Sequence, residues 1–492
     1  MAFSPREIRI ILIGAMLAIF ISAIDQSIVA TALPTMARDL GDFALISWVV
    51  TAYLLTATSV MPIVGKLSDL YGRRVMLIGC LSVFMAASVF CALAPNMICL
   101  ILARALQGLG GGGLTTLAQT IIADLVSPRE RGKYQAYFSA TWATAALLGP
   151  SVGGLLTEFV GWPWIFWINL PVCAIALLLS ERVLRKLAPR RQRSHIDFPG
   201  IFLLTGFTVA LLLVVSLGGK QFAWSSLELL LLAGAALVTA VLFVIQQKRS
   251  PEAILPPRFL GDKVIRPVLL SSGIVHGCYL SCSILVPIYF QLGLGLPASI
   301  SGIFLIPLAV STNVTTTWAA NSCRRTGRYK KQPLIGLAFS AAACGLLAFF
   351  AQEITPLWAA ILLSIIGLGI GPIFPCTLVS AQNAVDQKEL GAVSGVVTFA
   401  RALGSAVGIA ASSSLVLSLI AASRPEMSAA ESLEDLLRFD LGPEAKAAVL
   451  HAFGIVFGCL AAAFVAGIAV YATVEDRVLR GGAGTATSTV KE

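Results

Sequence analysis

Long apolar runs, separated by short breaks rich in polar residues, glycine and proline, make up nearly the whole chain. About 20 apolar residues in a helix cover the ~30 Å hydrocarbon core of a bilayer. The runs predict six membrane-spanning helices at 8–32, 45–65, 74–94, 98–122, 135–157 and 164–181. Two more follow at 198–218 and 227–247, and six close the chain at 268–291, 299–320, 333–351, 356–380, 391–420 and 449–472. The total of fourteen is even, so both ends of the chain fall on one side. Arg6 and Arg9 ahead of the run Ile10–Ile24 have the outline of a signal peptide. Asp25 and further apolar residues follow where a small-residue cleavage site would stand, so the segment reads as a retained first span.

Composition agrees with this pattern and narrows the class. Of 492 residues, 57% are apolar and 12% charged, against about 25% charged in a soluble domain. A soluble globule has no way to bury that much apolar surface, and a disordered chain would not carry it. The net charge of +10 has two readings, nucleic-acid binding or basic inner loops. The distribution decides between them. With the N-terminus inside, inner segments hold 28 of the 35 Lys and Arg, outer segments hold five, and Arg104 and Arg401 lie within spans. The basic runs Arg190-Arg191-Gln192-Arg193 and Arg324-Arg325 are therefore topology anchors, and no nucleic-acid partner is expected. The longest outer loop, 421–448, is compatible with a surface helix and receives no function. The ten cysteines form no CxxC and, except for Cys323, lie in apolar stretches; a disulfide framework is not expected. Cys278 and Cys282 share a helix face as small packing residues.

The chain repeats itself. The segment from Gly108, GLGGGGLTTLAQTIIADLVSPRERG, aligns without a gap to the segment from Gly367, GLGIGPIFPCTLVSAQNAVDQKELG, at an offset of 259 residues. The match includes Gly110/Gly369, Gly112/Gly371, Glu130/Glu389, Gly132/Gly391 and, further on, Gly149/Gly408. Tyr71-Gly72-Arg73-Arg74 has a fainter echo in Thr326-Gly327-Arg328-Tyr329. The organisation this implies is an N-terminal six-helix bundle (1–181), linkers with two inserted spans (182–266), a C-terminal six-helix bundle (267–476) and a tail (477–492). Parallel six-span repeats with a substrate site between them are a transporter design.

A few residues stand out against the apolar background. Asp25 is the one acid placed deep in a span, where a charge costs ~2.5–3.5 kcal/mol on insertion scales and tends to be functional. It is a candidate proton or substrate site, or else a structural hydrogen-bonding residue. Arg104, placed near the cytoplasmic end of span 4, either pairs with an acid across the bundle or snorkels to the interface; Arg401 sits similarly in span 13. His276 in span 9 either titrates with substrate or packs as a neutral histidine. Gln119, Gln382 and Asn313 are candidate cavity-lining residues. The glycines 108–113 fit G-x-G-x-x-G, but they lie inside an apolar helix with no preceding strand, so close packing is the better reading than a dinucleotide site. Thr141, Ala145, Gly149, Gly153 and Thr157 form one stripe of small residues, either static packing or a sliding seam, and Pro150 favours a kink. Ala400, Gly404, Gly408 and Ser412 repeat the stripe in span 13. The turn Gly65 to Arg74, with Asp69, Gly72, Arg73 and Arg74, is suited to latch onto helix ends. No metal-ligand spacing or catalytic cluster is legible, which leaves little room for an intramembrane enzyme.

Taken in order, these motifs resemble the major facilitator superfamily, and within it the 14-span drug/proton antiporter family. Gly65-x-Leu67-x-Asp69-x-x-Gly72-Arg73-Arg74 is similar to the superfamily's loop signature. Ala103-Arg104-Ala105-Leu106-Gln107-Gly108 resembles its span-4 signature, and Gly149-Pro150-x-x-Gly153-Gly154 its span-5 antiporter signature. Asp25-x-Ser27-Ile28-Val29-x-x-Ala32-Leu33-Pro34 and Trp164-x-Phe166-x-Ile168-Asn169-Leu170-Pro171 resemble the span-1 and span-6 signatures of the 14-span group. The resemblance covers essentially the whole chain and is strongest to proteobacterial multidrug efflux members, with a fungal vacuolar or plasma-membrane member as the alternative.

It implies an all-α membrane protein of two six-helix bundles plus two inserted helices, both ends cytoplasmic, in the cell inner (plasma) membrane. It implies export of small amphipathic or cationic compounds in exchange for protons by a monomer without a cofactor. Narrow transport of a nutrient or metabolite, such as a basic amino acid, is the alternative; an intramembrane enzyme or a non-transporting membrane protein is more remote, since the six-plus-six repeat argues against both. Asp25, Arg104 and Gln107 would then belong to proton coupling, Gly65, Asp69, Gly72, Arg73 and Arg74 to a cytoplasmic latch, and Gly149, Pro150, Gly153 and Gly154 to the antiporter span. One departure is visible: the second-half loop Asn321–Arg328 lacks the acid of its first-half counterpart, so its latch is expected to be weaker or absent.

Overall fold

The structure, a computed structural model, describes residues 5–185, 196–218, 222–424, 436 and 442–480. The run Arg190–Arg193, most of the 421–448 loop and the tail beyond 480 lie outside the described residues. The described chain is helical almost throughout. The first group of helices is α1 (Pro5–Leu40), α2 (Ile46–Tyr71), α3 (Arg73–Ala92), α4 (Met97–Leu125), α5 (Pro128–Phe159), the single turn α6 (Trp164–Trp167) and α7 (Asn169–Leu184). An inserted pair follows, α8 (Phe198–Leu217) and α9 (Leu227–Arg249), and then the short α10 (Pro257–Gly261). The second group is α11 (Ile265–Leu294), α12 (Ala298–Ile303), α13 (Leu305–Thr326), α14 (Lys331–Phe349), α15 (Pro356–Ile370), α16 (Ile373–Asn383), α17 (Leu390–Ser423) and α18 (Pro443–Ala472).

Thirteen helical segments among the described residues are long and apolar enough to cross a membrane. The remaining expected span, 135–157, falls in α5. This helix has the length, 32 residues, but its Gly, Ser and Thr positions and its charged first turns dilute its apolarity. It packs on α1 in the first group and on α13 in the second. Pro150, expected to favour a kink, does not interrupt it. A break occurs instead at Gly371-Pro372, which divides the predicted span 356–380 into α15 and α16. Proline lacks the N–H that the ladder needs, and Gly371 is pressed against Thr312 and Thr315 of α13.

The sequence repeat reappears in the packing, because each matched glycine lets a neighbouring backbone approach. Gly108 and Gly112 of α4 abut α2 at Tyr53 and Ala57, while Gly110 abuts α3 at Cys80 and Phe84. At the same offset, Gly367 and Gly371 abut α13, and Gly369 abuts α14 at Gly336 and Ser340. A Cβ at most of these positions would overlap the partner helix. The glycine run 108–113 is thus interhelical packing in the middle of a helix.

The inserted pair is peripheral. In α8 and α9, 22% and 17% of the most apolar window is buried, against 67% in α2. Helix α8 lies on α2 and α17, with Ile63, Leu204, Phe243 and Ile254 in one small cluster. All ten cysteines are free thiols. Cys323, set apart in the sequence by its polar surroundings, is buried at the end of α13 with its Sγ 3.5 Å from Cys376 Sγ.

Candidate functional site

Three of the sequence-predicted residues meet in the interior of the first helix group. Asp25 is buried midway along α1. Arg104 Nη1 donates to Asp25 Oδ2 at 2.5 Å and to Gln107 Oε1 at 2.6 Å. Gln107 Nε2 in turn donates to Asp25 Oδ1 at 3.0 Å and to Ser88 Oγ at 2.9 Å. Arg104 and Gln107 are three residues apart on α4, so helix geometry puts both on the face toward α1. The placement of Arg104 near the cytoplasmic end of its span is corrected here. Helix α4 begins at the end of the bundle opposite the basic loops, and Arg104 lies in its first third, level with the middle of α1.

Sequence reasoning gave no site role to three members of this cluster, although Asn169 stood in the Trp164–Pro171 motif. Asn169 Nδ2 donates to Asp25 Oδ1 at 3.0 Å. It stands at the start of α7, just after the break that separates α6, and its signal was its place in the Trp164–Pro171 motif. Ser88 of α3 accepts from both amides. Tyr53 of α2 stacks its ring 4.4 Å from the Arg104 guanidinium, and its hydroxyl lies 3.1 Å from Ser22 Oγ. Arg104 Nε also donates to the Val49 carbonyl at 3.3 Å. The carboxylate is thus held by a guanidinium and two amides. Breaking such a pair by removing one charge is far costlier than removing both.

A second site lies at the end that carries the basic loops, where the two helix groups meet. Asp69, in the last turn of α2, accepts from the backbone N–H of Gly391 at 3.0 Å and of Ala392 at 2.7 Å. These are free amides of the first turn of α17, so the carboxylate caps that helix and faces the positive end of its dipole. Gly65 makes this possible: a Cβ there would strike the Gly391 carbonyl. Arg73 pairs with Asp69 at 2.6 Å and with Asp124 of α4 at 2.8 Å, and donates to Ser68 Oγ at 2.6 Å. Gly72 supplies the turn between α2 and α3 with φ of 92°, a conformation open to glycine. Arg74 does not reach the second group; it pairs with Glu181 of α7 at 3.2 Å.

Other contacts join the groups nearby. Thr398 of α17 donates to Gln119 Oε1 of α4 at 3.1 Å, and Gly132 of α5 abuts Ala320 of α13. Lys66 pairs with Glu252 at 2.7 Å and Arg258 with Glu389, so the segment between α9 and α11 bridges both groups. A cleft of about 690 Å³ opens beneath this segment, lined by Lys66, Asp69, Glu252, Arg258 and Glu389 among others. In the second-group loop the missing acid comes from elsewhere. Arg328 pairs with Asp476 at 2.7 Å, and Leu479 N–H donates to the Gly327 carbonyl at 2.9 Å. The stretch after α18 holds that turn.

The small-residue stripe of α5 faces α1 within its own group. Gly149 abuts Ser27, and Gly153 abuts Ile28 and Thr31, whereas Gly154 meets nothing within 4 Å. The span-13 stripe does the same against α11, with Gly404 on Gly273, Gly408 on Gly277, and Ser412 bonded to Ser281 at 3.0 Å. Among the described residues no cluster of His, Cys, Asp and Glu has the make-up to hold a metal ion.

The model of the Major Facilitator Superfamily matches residues 15–409. The chain is 36% identical over 402 residues to the multidrug transporter protein MdtP of Bacillus subtilis, covering 81% of this chain and 74% of that protein. It is 34% identical over 411 residues to the efflux pump dotC of Dothistroma septosporum, covering 82% and 70%. Among solved structures it resembles the human organic anion transporter MFSD10 (TM-score 0.66, 15% identity, 95% of this chain and 100% of that one). It also resembles the proton:xylose symporter XylE (TM-score 0.57, 15% identity, 94% and 95%). On the sequence match and the shared fold, the chain belongs to the major facilitator superfamily.

Proposed function

We propose that the protein exports small amphipathic compounds across the cell membrane in exchange for protons, by alternating access of units 1–181 and 267–476. The observation that carries this reading is the carboxylate of Asp25, buried in the membrane interior and held by Arg104, Gln107 and Asn169. A proton on Asp25 removes the charge that fixes Arg104. The guanidinium then keeps only its uncharged partners, Gln107 and the Val49 carbonyl, and is free to engage a substrate group as α1 shifts against α4. Export direction is supported by the names of the relatives, a multidrug transporter and efflux pumps.

The basic end is the cytoplasmic side in this reading, and α5 is the fourteenth span. The conformation is then the one closed toward the cytoplasm, with the Asp69 cap on α17 as the latch. The latch opens as the units rock, and proton entry from outside drives the return. One charge crossing 100 mV releases ~2.3 kcal/mol, enough to move a two-state equilibrium by more than tenfold.

The test is ethidium efflux from energised cells or inverted vesicles carrying the wild type, with and without a protonophore. Export that collapses with the protonophore supports the proposal. Ethidium export that persists without a proton gradient contradicts it.

A further inference from the structure

The second helix group contains a buried cation with no acid. Arg401 of α17 is 9% exposed. Its Nη2 donates to the Phe374 carbonyl at 2.7 Å and to Thr377 Oγ1 at 2.8 Å, both uncharged, and its Nε is buried without a partner. No carboxylate pairs with it among the described residues. Arg104, by contrast, is paired with Asp25 and also donates to Gln107 and the Val49 carbonyl. The repeat offset shows that Arg401 is not a second copy of that pair. The counterpart of Arg104 is Leu363, and the counterpart of Arg401 is Trp142.

Two more groups gather at the same place. His276 of α11 is 7% exposed and packs edge-on to the Phe374 ring at 4.5 Å. The guanidinium of Arg401 lies 5.8 Å from the centre of that ring, and Tyr279 lies 5.8 Å away as well. His276 Nδ1 is 2.8 Å from the Ser272 carbonyl, so Nδ1 carries the proton and Nε2 is an acceptor, and Nε2 is buried without a partner. The site stands one helical turn along α17 from Thr398, where the two groups touch. It therefore combines an uncompensated positive charge, an unused donor, an unused acceptor and two aromatic faces.

A cation in the membrane interior is costly without a counterion and is retained where a function uses it. We infer that Arg401 and His276 bind the carboxylate end of an amphipathic organic acid, whose apolar body lies against Phe374 and Tyr279. Arg401 supplies the charge and the Nε donor. His276 stays neutral, adds no second charge, and accepts from a hydroxyl of the ligand or a bridging water. The inference deepens the transporter reading, on which it rests for the ligand's route, and it adds organic anions to that transporter's substrates.

The test uses three probes alike in shape and different in charge: 1-pyrenebutyrate, its neutral amide, and the corresponding pyrenebutyl trimethylammonium. Binding to the purified full-length chain in nanodiscs is measured by fluorescence, with empty nanodiscs subtracted. A charge-assisted bond of this kind predicts about tenfold tighter binding of the carboxylate than of the amide. Arg401→Gln removes the preference, and Arg401→Lys, which keeps the charge, retains most of it. Equal binding of carboxylate and amide by the wild type, a comparison that needs no variant, overturns the inference. So does a preference that survives Arg401→Gln. Probe export under a proton gradient is recorded separately. Selective binding without proton-driven movement leaves the anion site standing and removes the export reading; movement of all three probes without selectivity does the reverse.

Discussion

At the residue scale, among the described residues, Asp25 and Arg104 form a buried balanced charge pair and Arg401 is a buried cation without an acid partner. Asp25 and Arg104 neutralise each other, and Gln107 and Asn169 occupy the remaining carboxylate oxygen. This arrangement makes Asp25→Asn more than a loss of a proton carrier, because it strands Arg104. Stranding a buried charge costs on the order of 3–5 kcal/mol. We therefore expect Asp25→Asn and Arg104→Gln each to lower thermal stability in a fluorescence melt, and the combined variant to recover most of the loss. None of the three should drive export on a proton gradient. Equal stability losses that simply add in the double variant would mean that the pair is not coupled. Much of this site was legible. Asp25 and Arg104 each stood alone as charges inside apolar runs, but the sequence left open that they are partners and placed Arg104 too near the cytoplasmic end of its span. Ser88 and Tyr53 gave no signal, since serines and tyrosines in spans are common and nothing in one sequence says which face they take.

At the scale of helices, small residues decide which backbones approach, and the repeat decides where. Gly149 and Gly153 seat α5 on α1, as Gly404 and Gly408 seat α17 on α11. Gly154 meets no neighbour. Gly153→Val should therefore deplete the folded protein, read as the monodisperse fraction after extraction, while Gly154→Val should leave that fraction close to wild type. The stripes were legible as spacing, but their partners were not. A four-residue period says that a face is flat, and not whether a helix of the same or the other group lies on it. The break at Gly371-Pro372 shows the same limit, since Pro150 carries an equal local signal and leaves α5 unbroken. The turn Gly65 to Arg74 was readable as a latch for helix ends, and Asp69 caps α17. Replacing Asp69 with Asn keeps the shape and removes the charge that faces the helix dipole, worth about 1 kcal/mol. Hydrogen exchange at the amides of Gly391 and Ala392 should then rise roughly fivefold, and unchanged exchange would remove the latch from the account.

At the scale of the whole molecule, two groups of helices meet at the basic end through the Asp69 cap, the Thr398–Gln119 bond and the bridging segment between α9 and α11. The number and order of apolar runs made the architecture legible, because in a bilayer every backbone group has to be satisfied within its own helix. The inserted pair was legible as an interruption of the repeat; its seat on α2 and α17 depends on side chains of three segments and was not. The central claim is that protons drive the cycle through the Asp25 network. The most direct measurement is in proteoliposomes with a pH-sensitive dye in the lumen and an imposed proton gradient, comparing wild type with the combined Asp25→Asn and Arg104→Gln variant. The account predicts that adding ethidium or an amphipathic carboxylate accelerates proton movement through the wild type, and that the stable double variant moves neither protons nor substrate against a gradient. Proton-driven substrate accumulation by the double variant at the wild-type rate would contradict it.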